Sequence, residues 1–101
     1  MISIELVRGG NGEIIGFSAK NHGKSIVCAA VSMLVINTIN SIEKLTRQAL
    51  RCDYLTEGGY ITFERLTPYE AQAGLLLEAM MLGLYSAKEN YPLDIEITER
   101  K

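Results

Sequence analysis

The sequence has a single histidine, two cysteines and two prolines among its 101 residues. One histidine and two cysteines fall short of a tetrahedral structural metal site unless carboxylates or a second subunit contribute, so no metal or other cofactor is expected. Two cysteines are also too few for the disulfide frameworks that hold small secreted domains together. With no basic, apolar, small-residue leader at the start, they point to reduced thiols in a cytoplasmic protein. Clusters of positive charge are missing as well. The ten Lys and Arg residues are scattered, the formal net charge is −2 and the isoelectric point is near 5.4. Such a balance gives no electrostatic footprint for DNA or an anionic bilayer, so neither direct nucleic acid nor membrane is an expected partner.

What is present is a hydrophobic fraction of 48%, enough for one modest core and one domain over residues 1–101. Residues 2–7 alternate, residues 13–19 carry Ile14, Ile15 and Phe17, and the Gly-Gly-Asn-Gly run between them predicts a β-hairpin. From Ile26 the apolar residues recur every three or four positions to about Leu50, a helix with Ser25 as its N-cap. Residues 51–55 and 60–66, separated by Glu57-Gly58-Gly59, predict a second hairpin. Thr67 as cap, Pro68 at the first helical position and Glu70 three residues after the cap open a second helix, which runs to about Asn90 and is stopped by Pro92. Residues 93–98 alternate again, a last strand with Leu93, Ile95 and Ile97 on its buried face. The order ββαββαβ implies an α+β two-layer sandwich, a mostly antiparallel sheet with both helices on one face.

Residues 25–42 form an uncharged run of eighteen, the length of a membrane span, yet they include Asn37, Thr38, Asn40 and three serines, which favours a buried helix of a soluble protein. Both helices are apolar around most of their circumference, with Glu78 the only charge in residues 71–85. A two-layer fold needs one apolar stripe per helix, so the excess calls for further cover. Helix-on-helix packing within the monomer is one account, and a homodimer that buries the helical layer is the other.

Residues 21–32 read NHGKSIVCAAVS and admit three readings. Gly23-Lys24-Ser25 before a helix has the layout of a phosphate-binding loop, but the required earlier glycine is missing, because position 18 is serine. Thiol chemistry is the second reading. With Ser25 as cap, Cys28 is the third helical residue, where the positive end of the helix dipole favours thiolate, and His22 on the preceding loop can approach it as a proton carrier. First-turn N–H groups would stabilise an oxyanion, and Ala29 and Ala30 would leave room for a substrate backbone. In the third reading Cys28 is a small core residue and His22 a solvated loop residue, since Cys-His at a spacing of six is not a specific motif.

Elsewhere, Cys52 reads as an ordinary strand cysteine, and Met80 and Met81 as core or interface filler. Tyr54, Tyr60 and Phe63 read as packing residues or as the lining of a groove for an extended peptide. Lys24 reads as a solvated loop lysine or a cation beside Cys28.

The run Ser25-Ile26-Val27-Cys28-Ala29-Ala30-Val31-Ser32, preceded by Gly23-Lys24, resembles the Gly-x-Asp-Ile-Val-Cys-Ala-Ala-Val-Ser signature of the ribosomal-processing cysteine protease (Prp) family. The Gly-Phe strand, the Gly-Gly hairpin before an aromatic strand and Leu-Glu-Ala-Met in the second helix extend the resemblance over nearly the whole chain. It implies a small homodimeric sandwich and a cysteine endopeptidase that removes the N-terminal extension of a large-subunit ribosomal protein. Carried over by position, Cys28 matches the nucleophile, His22 the histidine of the dyad, Ser32 a serine one turn beyond the nucleophile, and Ser25 stands where the family has aspartate. The His-to-Cys loop is shorter here than in the family. Should it hold His22 away from Cys28, the same fold would act instead as a catalytically impaired, dimeric ribosome-associated binding protein.

Overall fold

The computed structural model describes residues 1–20, 25–55 and 60–101. Seven elements follow in the expected order: β1 (Ile2–Arg8), β2 (Ile14–Lys20), α1 (Ser25–Leu45), β3 (Leu50–Leu55), β4 (Tyr60–Arg65), α2 (Ala71–Asn90) and β5 (Ile95–Arg100). The sheet order is β3-β4-β2-β1-β5, and every pair is antiparallel except β1 with β5. The mostly antiparallel α+β sandwich is therefore as the pattern of the sequence implied.

Alternation decides which face of the sheet is apolar. Ile2, Ile4 and Leu6 of β1 point one way and are buried, and their register partners Ile95 and Ile97 on β5 and Ala19 and Phe17 on β2 share that face. The register slips by one residue between Val7 and Arg8, so that Ile14 also turns inward. Phe17 lies opposite Phe63 of β4, and the two rings stack with centroids 5.1 Å apart. Val27, Val31, Val35, Ile39 and Ile42 of α1 and Ala73, Leu77, Met80, Met81 and Leu84 of α2 complete one continuous core against this face. Both methionines are thus core filler. The opposite face carries ion pairs instead, Arg51 with Glu64 at 3.1 Å and Arg100 with Glu5 at 2.9 Å.

The first helix is shorter than the periodicity suggested. It ends at Leu45, because the Thr46 hydroxyl donates back to the Ile42 carbonyl at 2.7 Å and accepts the Gln48 N–H at 3.1 Å, closing the last turn. Gln48, only 4% exposed, then ties this connection to the start of α2. Its amide nitrogen donates to the Thr67 carbonyl at 2.9 Å and to the Thr67 hydroxyl, and its amide oxygen accepts the Glu70 N–H at 3.0 Å. These bonds displace the expected capping box. Helix α2 begins at Ala71 with Glu70 in the cap position and no side-chain cap bond. The Thr67 hydroxyl accepts from Gln48 and from the Ala49 N–H, and the Glu70 carboxylate accepts the Arg47 N–H at 3.1 Å.

Leu93 is a second correction. It is 85% exposed, because residues 92–94 form a turn after Pro92, fixed by Asp94 N–H to the Tyr91 carbonyl at 3.0 Å, and β5 starts only at Ile95. The expected Glu57-Gly58-Gly59 turn lies outside the described residues.

The span Ile26–Leu45 is long and apolar enough to cross a bilayer by length and composition alone. Here one side of it forms a wall of the core. Side-by-side packing of the helices, close enough that Leu34 abuts Gly83, covers part of the remaining apolar surface. Ile26 (65% exposed), Met33 (70%), Leu75 (72%) and Leu82 (72%) stay open.

Candidate active site

Helix α1 starts with Ser25 itself, so Cys28 is its fourth residue rather than its third and stands at the end of the first turn. No acidic residue occupies that turn, which leaves the positive end of the helix dipole unopposed. The Cys28 side chain is half-buried against the core, while Ile26, Ala29 and Ala30 beside it are exposed. This placement reconciles two of the readings of the sequence: the sulfur packs on the core, yet the next turn of the same helix is open to an approaching chain. Ser32, half-buried, follows one turn on. Residues 21–24, His22 and Lys24 among them, and the side chain of Ser25 lie outside the described residues.

From Cys28 a shallow groove of about 430 Å³ runs along the flank of α1, lined by Ala29, Ser32, Met33, Ile36, Asn37 and Asn40. The sequence reading had taken Asn37 and Asn40 only as marks of a soluble helix. Their spacing of three places both amides on one flank with Ile36 and Met33, and that spacing was the available signal.

Cys52 faces inward from β3, opposite Phe63 and half-buried. Burial, with Glu43 and Asp53 nearby, pushes its thiol pKa up, which fits a packing residue. Neither cysteine is in a disulfide. Phe63 is buried in the core, and Tyr60 lies on the outer face under the Lys20 ammonium, 5.6 Å from the ring centroid. Neither borders the open turn, and the Tyr54 side chain lies outside the described residues. Among the described residues, no group of three or more His, Cys, Asp or Glu converges as metal ligands would.

Residues 1–96 match the family described as cysteine protease Prp. The chain belongs to that family. A Bacillus subtilis ribosomal processing cysteine protease Prp is 32% identical over 76% of this chain and 72% of its own length. The Staphylococcus aureus Prp is 24% identical over 96% of this chain and 97% of its own. The fold agrees with solved structures: the S. aureus Prp crystal structure with a covalently linked product peptide superposes with a TM-score of 0.93 over 98% of this chain and 99% of that one, at 24% identity. A Streptococcus mutans protein of known structure gives 0.81 over 100% and 99%, at 28% identity. As a Prp-family member the chain is a cysteine protease with the α+β fold of those structures, and the phosphate-loop reading of residues 21–32 is set aside.

Proposed function

We propose that this Prp-family protein is an endopeptidase that removes the N-terminal extension of a large-subunit ribosomal protein in the cytoplasm. The observation that carries the reading is the position of Cys28, on the first turn of a helix with no acidic side chain there and with small, exposed neighbours. Cys28 is the nucleophile. His22 takes the thiol proton, the thiolate attacks the scissile carbonyl, and first-turn N–H groups stabilise the oxyanion. As the tetrahedral intermediate collapses, the C–N bond breaks, and His22 returns the proton to the leaving amine. Water then attacks the acyl-enzyme with His22 again as base, releasing the second product and restoring the thiol. Ser25 and Ser32 support the site, the first at the start of the helix and the second one turn beyond the nucleophile, where its hydroxyl can bond loop or helix backbone.

The functional unit is a homodimer in this reading. Ile26, Leu75 and Leu82 form an apolar surface on the outside of the helical layer that intramolecular packing leaves open, and a second copy would bury it.

Incubation with the extended ribosomal protein of the same organism tests the proposal. Wild type should cleave at one junction, and Cys28→Ala and His22→Ala should not. Cleavage lost only in the cysteine variant would reject His22 as the base. An inactive wild type would sink the substrate assignment and favour the binding-protein alternative. Light scattering should give twice the monomer mass for wild type and a monomer for Leu82→Lys.

A further inference from the structure

The groove on α1 begins at Ala29, the residue after Cys28, and ends at Asn40. At ~1.5 Å per helical residue it is about 16 Å long, and an extended chain advances ~3.3 Å per residue, so about five residues fit along it. Its volume of about 430 Å³ lies within the range of sites that enclose small ligands or several side chains. Its chemistry is mixed in a particular way. Met33 and Ile36 offer apolar surface, and Ser32, Asn37 and Asn40 each offer a donor and an acceptor. None of the six is ionised, and the next charged side chains along the helix, Glu43 and Lys44, come only beyond Asn40. A second copy of the chain would find a better seat on the all-apolar surface of Ile26, Leu75 and Leu82, whereas neutral amides beside aliphatic side chains suit an extended peptide. Such a peptide must replace the water on its backbone and bury its side chains at the same time.

We infer that this flank of α1 is a specificity subsite of the protease, holding the substrate residues on one side of the scissile bond. Asn37 and Asn40 bond the extended backbone, and Met33 and Ile36 select uncharged, apolar side chains. The inference rests on Cys28 being the nucleophile, since that fixes where the bound chain meets the chemistry. A lysine or aspartate side chain in the groove would lose hydration without gaining a partner, so substrates with charge there should be refused.

The test uses peptides spanning the cleavage junction, with lysine placed in turn at each of the four positions on either side. Wild type should lose roughly tenfold or more in kcat/KM for lysine on one side only, mostly through KM. Ile36→Asp should raise KM for the unmodified peptide by a similar factor with kcat little changed, and should recover the peptide whose lysine meets it. Peptide binding to Cys28→Ala, read by fluorescence anisotropy, should show the same preferences when Ile36→Asp is added. That readout separates two failures: inactivity of wild type would overturn the protease reading, whereas indifference of binding to Ile36→Asp would overturn the subsite. A fall in activity that followed a change from dimer to monomer, with no change in peptide preference, would also overturn it.

Discussion

Arg8 of β1 donates its Nε proton to Glu99 of β5 at 2.7 Å and its two terminal nitrogens to Glu78 of α2 at 2.8 and 3.0 Å. Nη1 also reaches the Gly12 carbonyl at 2.8 Å, and Tyr85 of α2 donates its hydroxyl proton to the other oxygen of Glu99. One guanidinium therefore joins the first hairpin, the second helix and the last strand. Arg8→Met should lower stability by about 1–2 kcal/mol in urea denaturation. That is less than several charge-assisted bonds could give, because both carboxylates still reach water.

The same cluster sets a pH response. The hydrogen bond from Tyr85, and then that from Arg8, hold the Glu99 carboxyl below the usual carboxylate range. A depressed carboxylate contributes stability above its unfolded pKa and loses it as pH falls through the folded value. Wild type should thus lose stability on acidification more steeply than Glu99→Gln in the region below the ordinary Glu pKa. The Glu99 carboxylate also raises the Tyr85 phenol pKa, so that contribution holds below the ordinary tyrosine value and is lost as pH rises through the raised one. Tyr85→Phe should flatten the alkaline limb in the same titration.

Gln48→Leu should cost about 2–3 kcal/mol, since it strands the Glu70 N–H and breaks two bonds to Thr67 in a buried position. Thermal unfolding should report this as a fall of roughly 4–8 °C for each kcal/mol.

Gly12 has φ of +81° and donates its N–H to the Gly9 carbonyl at 3.0 Å. Gly12→Ala should cost about 1–2 kcal/mol, and Gly12→Asn less, because asparagine tolerates that backbone region better. Equilibrium unfolding of the two variants provides the comparison.

Cys52 should alkylate slowly with iodoacetamide at neutral pH, and its rate should keep rising with pH past the ordinary thiol range, because its pKa is raised. Mass spectrometry after timed quenching measures this, and Cys52→Ser should leave cleavage intact.

Much of this architecture was legible from periodicity, because Ile2, Ile4 and Leu6, or Val27, Val31 and Val35, repeat with the period of their own element. The misreadings share one cause. Thr46, Thr67 and Glu70 carry strong local signals, but Gln48 competes for the same donors and acceptors across 18 to 22 residues of sequence, which no short window can register. Leu93 continued an apolar alternation that the turn after Pro92 interrupts. At the candidate site, Cys28 was legible through its resemblance to a family motif and its place near a helix start. The groove was not, because Asn37 and Asn40 acquire a meaning only when the flank they share is left open beside Cys28.

The parallel pairing of β1 with β5 sets Ile2 beside Ile95. The two central elements of the first hairpin can form early, but the sheet closes only when a strand from the far end of the chain docks against β1. That separation gives the fold a high contact order, so its final step should be slow for a protein of this size. Until it occurs, β1 offers an unpaired edge with Ile2, Ile4 and Leu6 along it, a template for association with other chains. Synthesis of this protease thus carries a brief window of aggregation risk that ends when its last strand arrives.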